Sequence, residues 1–264
     1  MDQLKVSIVT PSFNQAAFLP ETLASLQAQD YPELEQIVVD GGSTDGTVEI
    51  LRATRNIQWL SEPDRGQVHA LNKGFAMATG EVLAWLNSDD TLYPDTVSAA
   101  VRALEESGAD LVYGDLEMVD EQGRLFKICY GIPFDLPALL YGLDYIGQQT
   151  VFFRRDLLAR AGELREDYQN AFDYELWVRC ARHGRLHYDP RIRARIRVHA
   201  AAKSVAHRDV TLRENDRLRR EYWADGGWPS FFQNRPWFLI PNLWYRLKRQ
   251  FIARVLYAGR HRAG

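Results

Sequence analysis

The stretch "VLAWLNSDDTLYP", residues 82–94, runs apolar from Val82 to Leu86 and then turns abruptly polar at Asn87, Ser88, Asp89 and Asp90. Two adjacent carboxylates repel each other and lose hydration at the end of a buried strand, so the pattern needs a positive neighbour. In an open α/β sheet this place is the ligand crevice outside the carboxyl ends of the strands. A hard divalent cation with oxygen ligands neutralises such a pair and suits a diphosphate. Helix capping ahead of Pro94 is the simpler competing explanation for either aspartate.

Working outward, runs of strand length alternate with amphipathic stretches of helical length. "KVSIVT" (5–10), "LEQIVVD" (34–40), "IQWLS" (57–61) and "ADLVYG" (109–114) read as strands beside 82–87. They are separated by "AAFLPETLASLQAQ", "TVEILRAT", "QVHALNKGFAMATG" and "PDTVSAAVRALEESG", with Gly80 and Gly108 where helices should stop. This order predicts an open, twisted, mostly parallel sheet flanked by helices. "LEMVDEQGRLFKICYG" (116–131) predicts a hairpin turning at Glu121 to Gly123, and "TVFFRRDLLARAG" and "YELWVRCARHG" carry helical patterns.

Polar clusters stand at four strand ends: "PSFNQ", "DGGSTDG", "SEPDRG" and "NSDD". The first has no glycine, so the G-x-G-x-x-G loop of a dinucleotide fold is missing. Asp40 can accept from a base or ribose while Gly41 and Gly42 admit a close ligand; a tight turn capped by Ser43 and Asp45 explains the same residues.

At 264 residues, 46% apolar and 25% charged, the composition is that of an ordinary folded protein. The first residues lack the pattern of a secretory signal, which predicts a cytoplasmic location. Cys129 and Cys180 show no zinc spacing and read as reduced thiols. The net charge of −3 hides an asymmetry: from Gly226 onward there is no acid and seven Lys or Arg residues, which leaves −10 for the rest. Leu243, Leu247, Phe251 and Val255 recur every four residues in that basic, aromatic tail. Three occupants fit it: an anionic membrane surface touched by residues 226–264, the protein's own body, or a second copy. No run reaches the roughly 20 apolar residues of a membrane span, "WFLIPNLWY" being interrupted by Pro241. No nucleic-acid module accompanies the basic residues.

"VSIVTPSFNQAAFLPETLASLQAQDYPELEQIVVDGGSTDGT", "SEPDRGQVHALNKGFAMATGEVLAWLNSDD" and "FDYELWVRCARHG" together resemble family 2 of the glycosyltransferases, over residues 4–204. The resemblance implies a GT-A fold, with a catalytic domain over 1–205 (nucleotide half 1–114, acceptor half 115–205) and a helical extension over 206–264. It implies a nucleotide-diphosphate sugar donor, UDP or dTDP by the match of Asp40 to a uracil or thymine N3–H, and a glycan or lipid-linked acceptor in surface polysaccharide synthesis. Pro11, Asn14, Asp40, Asp64, Arg65 and Ser88 would line the nucleotide site. Asp89, Asp90 and His199 would hold Mn²⁺ or Mg²⁺, with Asn87 where the family's metal motif begins with Asp. Asp173 would be the base of an inverting, non-processive transfer, with Phe172 in place of the family's preceding Glu; an N-cap is its structural alternative. Gln148 and Gln149 would meet the acceptor. Arg191, Arg193, Arg195 and Arg197 would share one strand face, either solvated or binding an anion. A catalytically silent sugar-nucleotide binder and a metal-dependent phosphohydrolase are the competing functions.

Overall fold

The computed structural model describes residues 3–142, 144–199, 208–227, 229 and 239–257. Strand β1 (Val6–Ser12), helix α1 (Leu19–Gln27), β2 (Leu34–Asp40), α2 (Thr47–Ala53), β3 (Gln58–Ser61), α3 (Gln67–Met77) and β4 (Val82–Trp85) build the first half by right-alternating βα units. Strands β3, β2, β1 and β4 lie side by side and parallel. β4 is apolar on both faces because it is buried on both faces, whereas β3 at the sheet edge is partly exposed. In β4, Val82 and Ala84 enter one core with Val97 and Leu104, while Leu83 and Trp85 enter the other with Leu71, Phe75 and Trp177. Pro11 is tolerated in β1 because β4 pairs only Val6 to Val9, so the missing N–H falls beyond that ladder.

The second half comprises β5 (Thr91–Leu92), α4 (Thr96–Ser107), β6 (Leu111–Val119), β7 (Leu125–Cys129), a π-helical turn (Ala138–Gly142), a 3₁₀ turn (Gln148–Thr150), β8 (Phe152–Arg154), α5 (Arg155–Ala161), α6 (Phe172–His183) and β9 (Leu186–Arg197). Here two expectations change. "TVFFRRDLLARAG" is a short strand before it is a helix: Phe152 and Phe153 bury on opposite faces, and β8 fills the space between β4 and β6. Since β8 runs antiparallel to both neighbours, the sheet is mixed beyond β4 rather than mostly parallel. The predicted hairpin is present, with Gly123 at φ +78° and its N–H on the Asp120 carbonyl at 2.9 Å.

β9 bulges against β6, the register moving from Tyr113↔Tyr188 to Asp115↔Arg193. A Cβ on Gly114 would lie 1.9 Å from the Ile192 carbonyl oxygen, so only glycine admits this approach. The bulge delivers the end of β9, Arg197 to His199, beside the turn that follows β4.

Composition changes near residue 205, but the core does not end there. Helix α7 (Arg208–Glu221) and the 3₁₀ turn Trp223–Gly226 send Leu218, Tyr222 and Trp223 into the core that holds Trp85 and Trp177. On α6, Glu175 is wholly buried, paired with Arg179 at 2.8 Å and accepting the Tyr222 hydroxyl at 2.5 Å. Helix α8 (Leu239–Tyr257) lies on the π-helical turn: Asn242 donates to the Tyr141 carbonyl at 2.8 Å, and Lys248 pairs with Asp135. Pro241 falls in the first turn of α8, where no N–H is needed, so it starts this helix rather than breaking it.

If α7 is part of the core, Leu218→Ala should destabilise the whole body by about 2–5 kcal/mol. Urea unfolding should show one transition with a lowered midpoint and an unchanged slope. An unchanged midpoint would make α7 an appendage.

Candidate active site

The loops after β1 and β2 are sewn together. Asn14 sits in the left-handed region at φ +52°, which Asn tolerates better than other side chains. Its N–H donates to Ser43 Oγ at 2.7 Å, and its Oδ1 accepts the Thr44 N–H at 3.0 Å. Asp45 accepts the Ala16 N–H at 2.9 Å. Asp40 is fully buried and accepts from Gly42 N–H, Ser43 N–H, Ser43 Oγ and Ser61 Oγ at 2.5–3.1 Å. Three of these bonds fall on Oδ2 and one on Oδ1, and the side chain has no exposed surface. Asp40 therefore shapes its own turn, and the expectation that it meets a base edge, with the UDP or dTDP preference drawn from it, loses its footing.

A residue that the sequence reading passed over takes the exposed position. Phe13 is 61% exposed at the end of β1, and a Cβ on Gly41 would come within 3.2 Å of its ring and 2.9 Å of Asp64 Oδ2. Gly41 thus lets Phe13 and Asp64 close over one small floor. The missed signal was an aromatic residue one step beyond a strand whose other members are all buried. Asp64 also accepts the Gly66 N–H at 2.7 Å, and Ser88 is buried. Arg65, expected on a diphosphate, makes a bidentate pair with Glu166 at 2.7 and 2.9 Å. That pair is exposed and weak enough for an incoming anion to exchange.

The two aspartates after β4 point apart. A tight turn closed by the Asp90 N–H on the Asn87 carbonyl at 3.1 Å separates them. Asp90 turns inward and accepts from Gln149 Nε2 at 2.7 Å, the Arg197 N–H at 2.9 Å and Asn87 Nδ2 at 3.2 Å. Burial first, and then the Asp89 charge, push its carboxyl up to about 8 against the pull of those donors. Asp90 is thus a clasp within the protein, not the second metal ligand expected. Asp89 stays partly exposed with Oδ2 3.0 Å from His199 Nε2, and the Phe18 ring backs His199 at 4.7 Å.

Among the described residues no three His, Cys, Asp or Glu side chains converge. One carboxylate and one imidazole nonetheless fit a divalent ion of the Mn²⁺ or Mg²⁺ type, which keeps most positions for phosphate and water oxygens.

Gln148 and Gln149 are buried, so the expected acceptor contact is corrected. Gln148 donates to the Trp85 carbonyl at 2.7 Å and accepts from Asn87 at 3.4 Å, while Gln149 holds Asp90. Asn87, placed where the resembled motif has Asp, is the neutral link of this network and accepts from Gln67 at 2.8 Å. The arginines of β9 are all engaged within the protein: Arg191 with Asp189 and Glu106, Arg193 over Tyr93, Arg195 with Tyr93 and Glu117. Arg197 is buried, bonding Glu21 at 2.5 Å, the Glu121 carbonyl at 2.9 Å and the Asp89 carbonyl at 3.3 Å. Arg191, Arg193 and Arg195 keep 41–46% of their side chains exposed in these pairs, so they form the solvated face expected of this strand, while Arg197 turns inward.

Asp173 is half-buried in the first turn of α6, where the helix dipole favours an anion. Ala171 occupies the N-cap, so the capping alternative for Asp173 does not hold; its Oδ1 accepts the Tyr174 N–H at 2.8 Å. Phe172, where the resembled pair has Glu, is an apolar anchor, its ring 6.3 Å from that of Trp85. Glu214 of α7 accepts the N–H groups of Gln169, Asn170 and Ala171 at 2.7–2.8 Å, fixing the approach to Asp173. An open cleft of about 580 Å³ near Tyr31, Gln36 and Arg55 lies at the opposite, amino end of β2, away from this edge.

Comparison with known proteins agrees with this geometry. The model of "Glycosyl transferase family 2" matches residues 7–162. A PGL/p-HBAD biosynthesis glycosyltransferase of Mycobacterium bovis is 35% identical over 181 residues, covering 66% of this chain and 68% of its own. An uncharacterized glycosyltransferase of Mycobacterium tuberculosis is 37% identical over 180 residues, covering 67% and 68%. Among solved structures, Staphylococcus aureus TarS 1–349 in complex with UDP-GlcNAc superposes with a TM-score of 0.67 at 22% identity, covering 87% of this chain and 69% of that one. This chain matches 41% of a longer TarS chain. The mannosyltransferase PcManGT of Pyrobaculum calidifontis, in complex with GDP-Man and Mn²⁺, gives 0.68 at 24% identity, covering 100% and 77%. With this sheet, these loops and these relatives, the chain belongs to glycosyl transferase family 2 and has the GT-A fold.

Proposed function

We propose that the protein transfers one sugar per encounter, with inversion, from a nucleotide-diphosphate donor to a hydroxyl of a glycan or lipid-linked acceptor in surface polysaccharide synthesis. The observation that carries this reading is the Trp85–Phe172 contact. It brings the strand that leads to Asp89 against the start of the helix that bears Asp173, which supports donor-holding and proton-accepting roles on one edge of the sheet.

Displacement at an anomeric carbon needs a stabilised leaving group and a nucleophilic hydroxyl. A divalent cation on Asp89 and His199 would offset the charge of the departing diphosphate. Phe13 offers a face on which a base can stack, and Arg65 an exchangeable guanidinium for phosphate. Asp173 accepts the acceptor hydroxyl proton late in the displacement, when that proton has become acidic. A single candidate base, with no nucleophile identified opposite it among the described residues, favours inversion. The complexes of TarS with UDP-GlcNAc and of PcManGT with GDP-Man and Mn²⁺ support a nucleotide-sugar donor and a cation.

Asp173→Asn should lower kcat by about 10²–10⁴-fold while donor affinity stays within about threefold, because the lost group acts in the transition state. Retained turnover would displace Asp173 from this role, and a wild-type protein that binds donor without turnover would make the chain a silent binder.

Calorimetric titration with UDP and GDP should show binding strengthened by Mn²⁺ over EDTA, and Asp89→Asn or His199→Ala should erase that difference. Equal affinity in both buffers would remove the cation from the mechanism. Phe13→Ala should weaken every nucleotide by about 1–3 kcal/mol, the worth of one stacked base. Unchanged affinity would place the base elsewhere.

A further inference from the structure

Helix α8 is mostly apolar on the side that faces away from the protein. Pro241, Asn242, Tyr245 and Ile252 turn towards the body, and Lys248 is tied to Asp135. The opposite arc carries Leu239, Leu243, Trp244, Leu247 and Phe251, with Trp244 62% and Phe251 69% exposed. An ordinary surface helix has its polar face there. Nothing among the described residues covers this arc, and no helix is long and apolar enough to cross a membrane.

The helix holds Arg246, Lys248, Arg249 and Arg254 and no Asp or Glu over its 19 residues. That charge decides between occupants. A second copy docked on this face would set exposed Arg246 against a helix that holds no acid. An anionic bilayer offers an apolar interior for the exposed arc, a polar boundary for the Trp244 ring, and phosphates for exposed Arg246.

We propose that α8 lies between the catalytic body and the surface of an anionic phospholipid membrane, its outer face seated at the headgroup boundary. Because the helix is already fixed by Asn242, Tyr245 and Lys248, docking needs no folding of the anchor and holds the body in one orientation. This placement is independent of the transferase chemistry.

The test is flotation of the full-length protein with vesicles of phosphatidylcholine alone or mixed equally with phosphatidylglycerol. The protein should float with the anionic vesicles, several-fold less with the neutral ones, and less as salt rises from about 0.1 to about 0.5 M. Trp244→Ser with Phe251→Ser should reduce partitioning at least about tenfold at an unchanged thermal midpoint, given the burial each side chain loses. Arg246→Gln should reduce it about fivefold, the worth of one interfacial cation, and decides the matter if the double variant folds poorly. Failure of the wild type to float, or flotation of both variants like the wild type, overturns the proposal. A wild-type dimer that becomes monomeric in the double variant without vesicle binding overturns it in favour of a second copy.

Discussion

The Asp90 carboxylate is the interaction on which the site depends. A buried carboxylate is costly unless its lone pairs are taken. Its three donors come from the β4 turn, from the 3₁₀ turn before β8 and from the end of β9. One atom group therefore gathers segments separated by more than a hundred residues. Asp89 can face the crevice only because Asp90 faces away from it. The repulsion between neighbouring carboxylates is reduced by the turn that points them apart, and together with burial it shows in the raised proton affinity of the inner one.

The rest of the site is built with the same economy. Arg197 answers a carboxylate of α1, carbonyls of the β6–β7 turn and the carbonyl of Asp89, and its backbone serves Asp90. The two glutamines and Asn87 extend that lattice under Trp85. Above it, the aromatic contact of Trp85 with Phe172 and with Trp177, the latter stacked at 5.3 Å, sets the helix that presents Asp173. Phe172 fits this role because an apolar ring is what the neighbouring indole can pack against.

The first half of the fold was legible because strand runs, helix stops and polar strand ends coincide along β1 to β4. The hairpin turning at Glu121 to Gly123 was legible as a polar break between two strand-like runs. β8 was hidden because three residues are too few to show a period of two, and its aromatic pair merged into the helix behind it. At the site, the strand-end pattern singled out Asp89 and the family resemblance singled out His199 and Asp173 as candidates, yet neither could show which way a side chain turns. Asp40, Asp90, Gln148 and Gln149 are polar residues whose partners lie inside the protein, and only three-dimensional neighbours reveal that. The arginines of β9 suffered the same ambiguity, since their acidic partners are scattered from Glu21 to Asp189. Phe13 was overlooked for the opposite reason: an aromatic at a strand end looks like core until its exposure is known.

Glu214 has a bearing on how the molecule is made. Its carboxylate satisfies three backbone N–H groups ahead of α6, and Tyr222 from the same region answers buried Glu175. Both partners are translated some forty residues after the helix they complete. During synthesis the first half, whose strands β1 to β4 pair with one another around β1, can form its own parallel ladder early. The half that carries Asp173 must wait for α7, with a charged group at its centre still incompletely paired. Nascent chains stalled in this interval are the species in which the protein depends most on protection from aggregation and proteolysis.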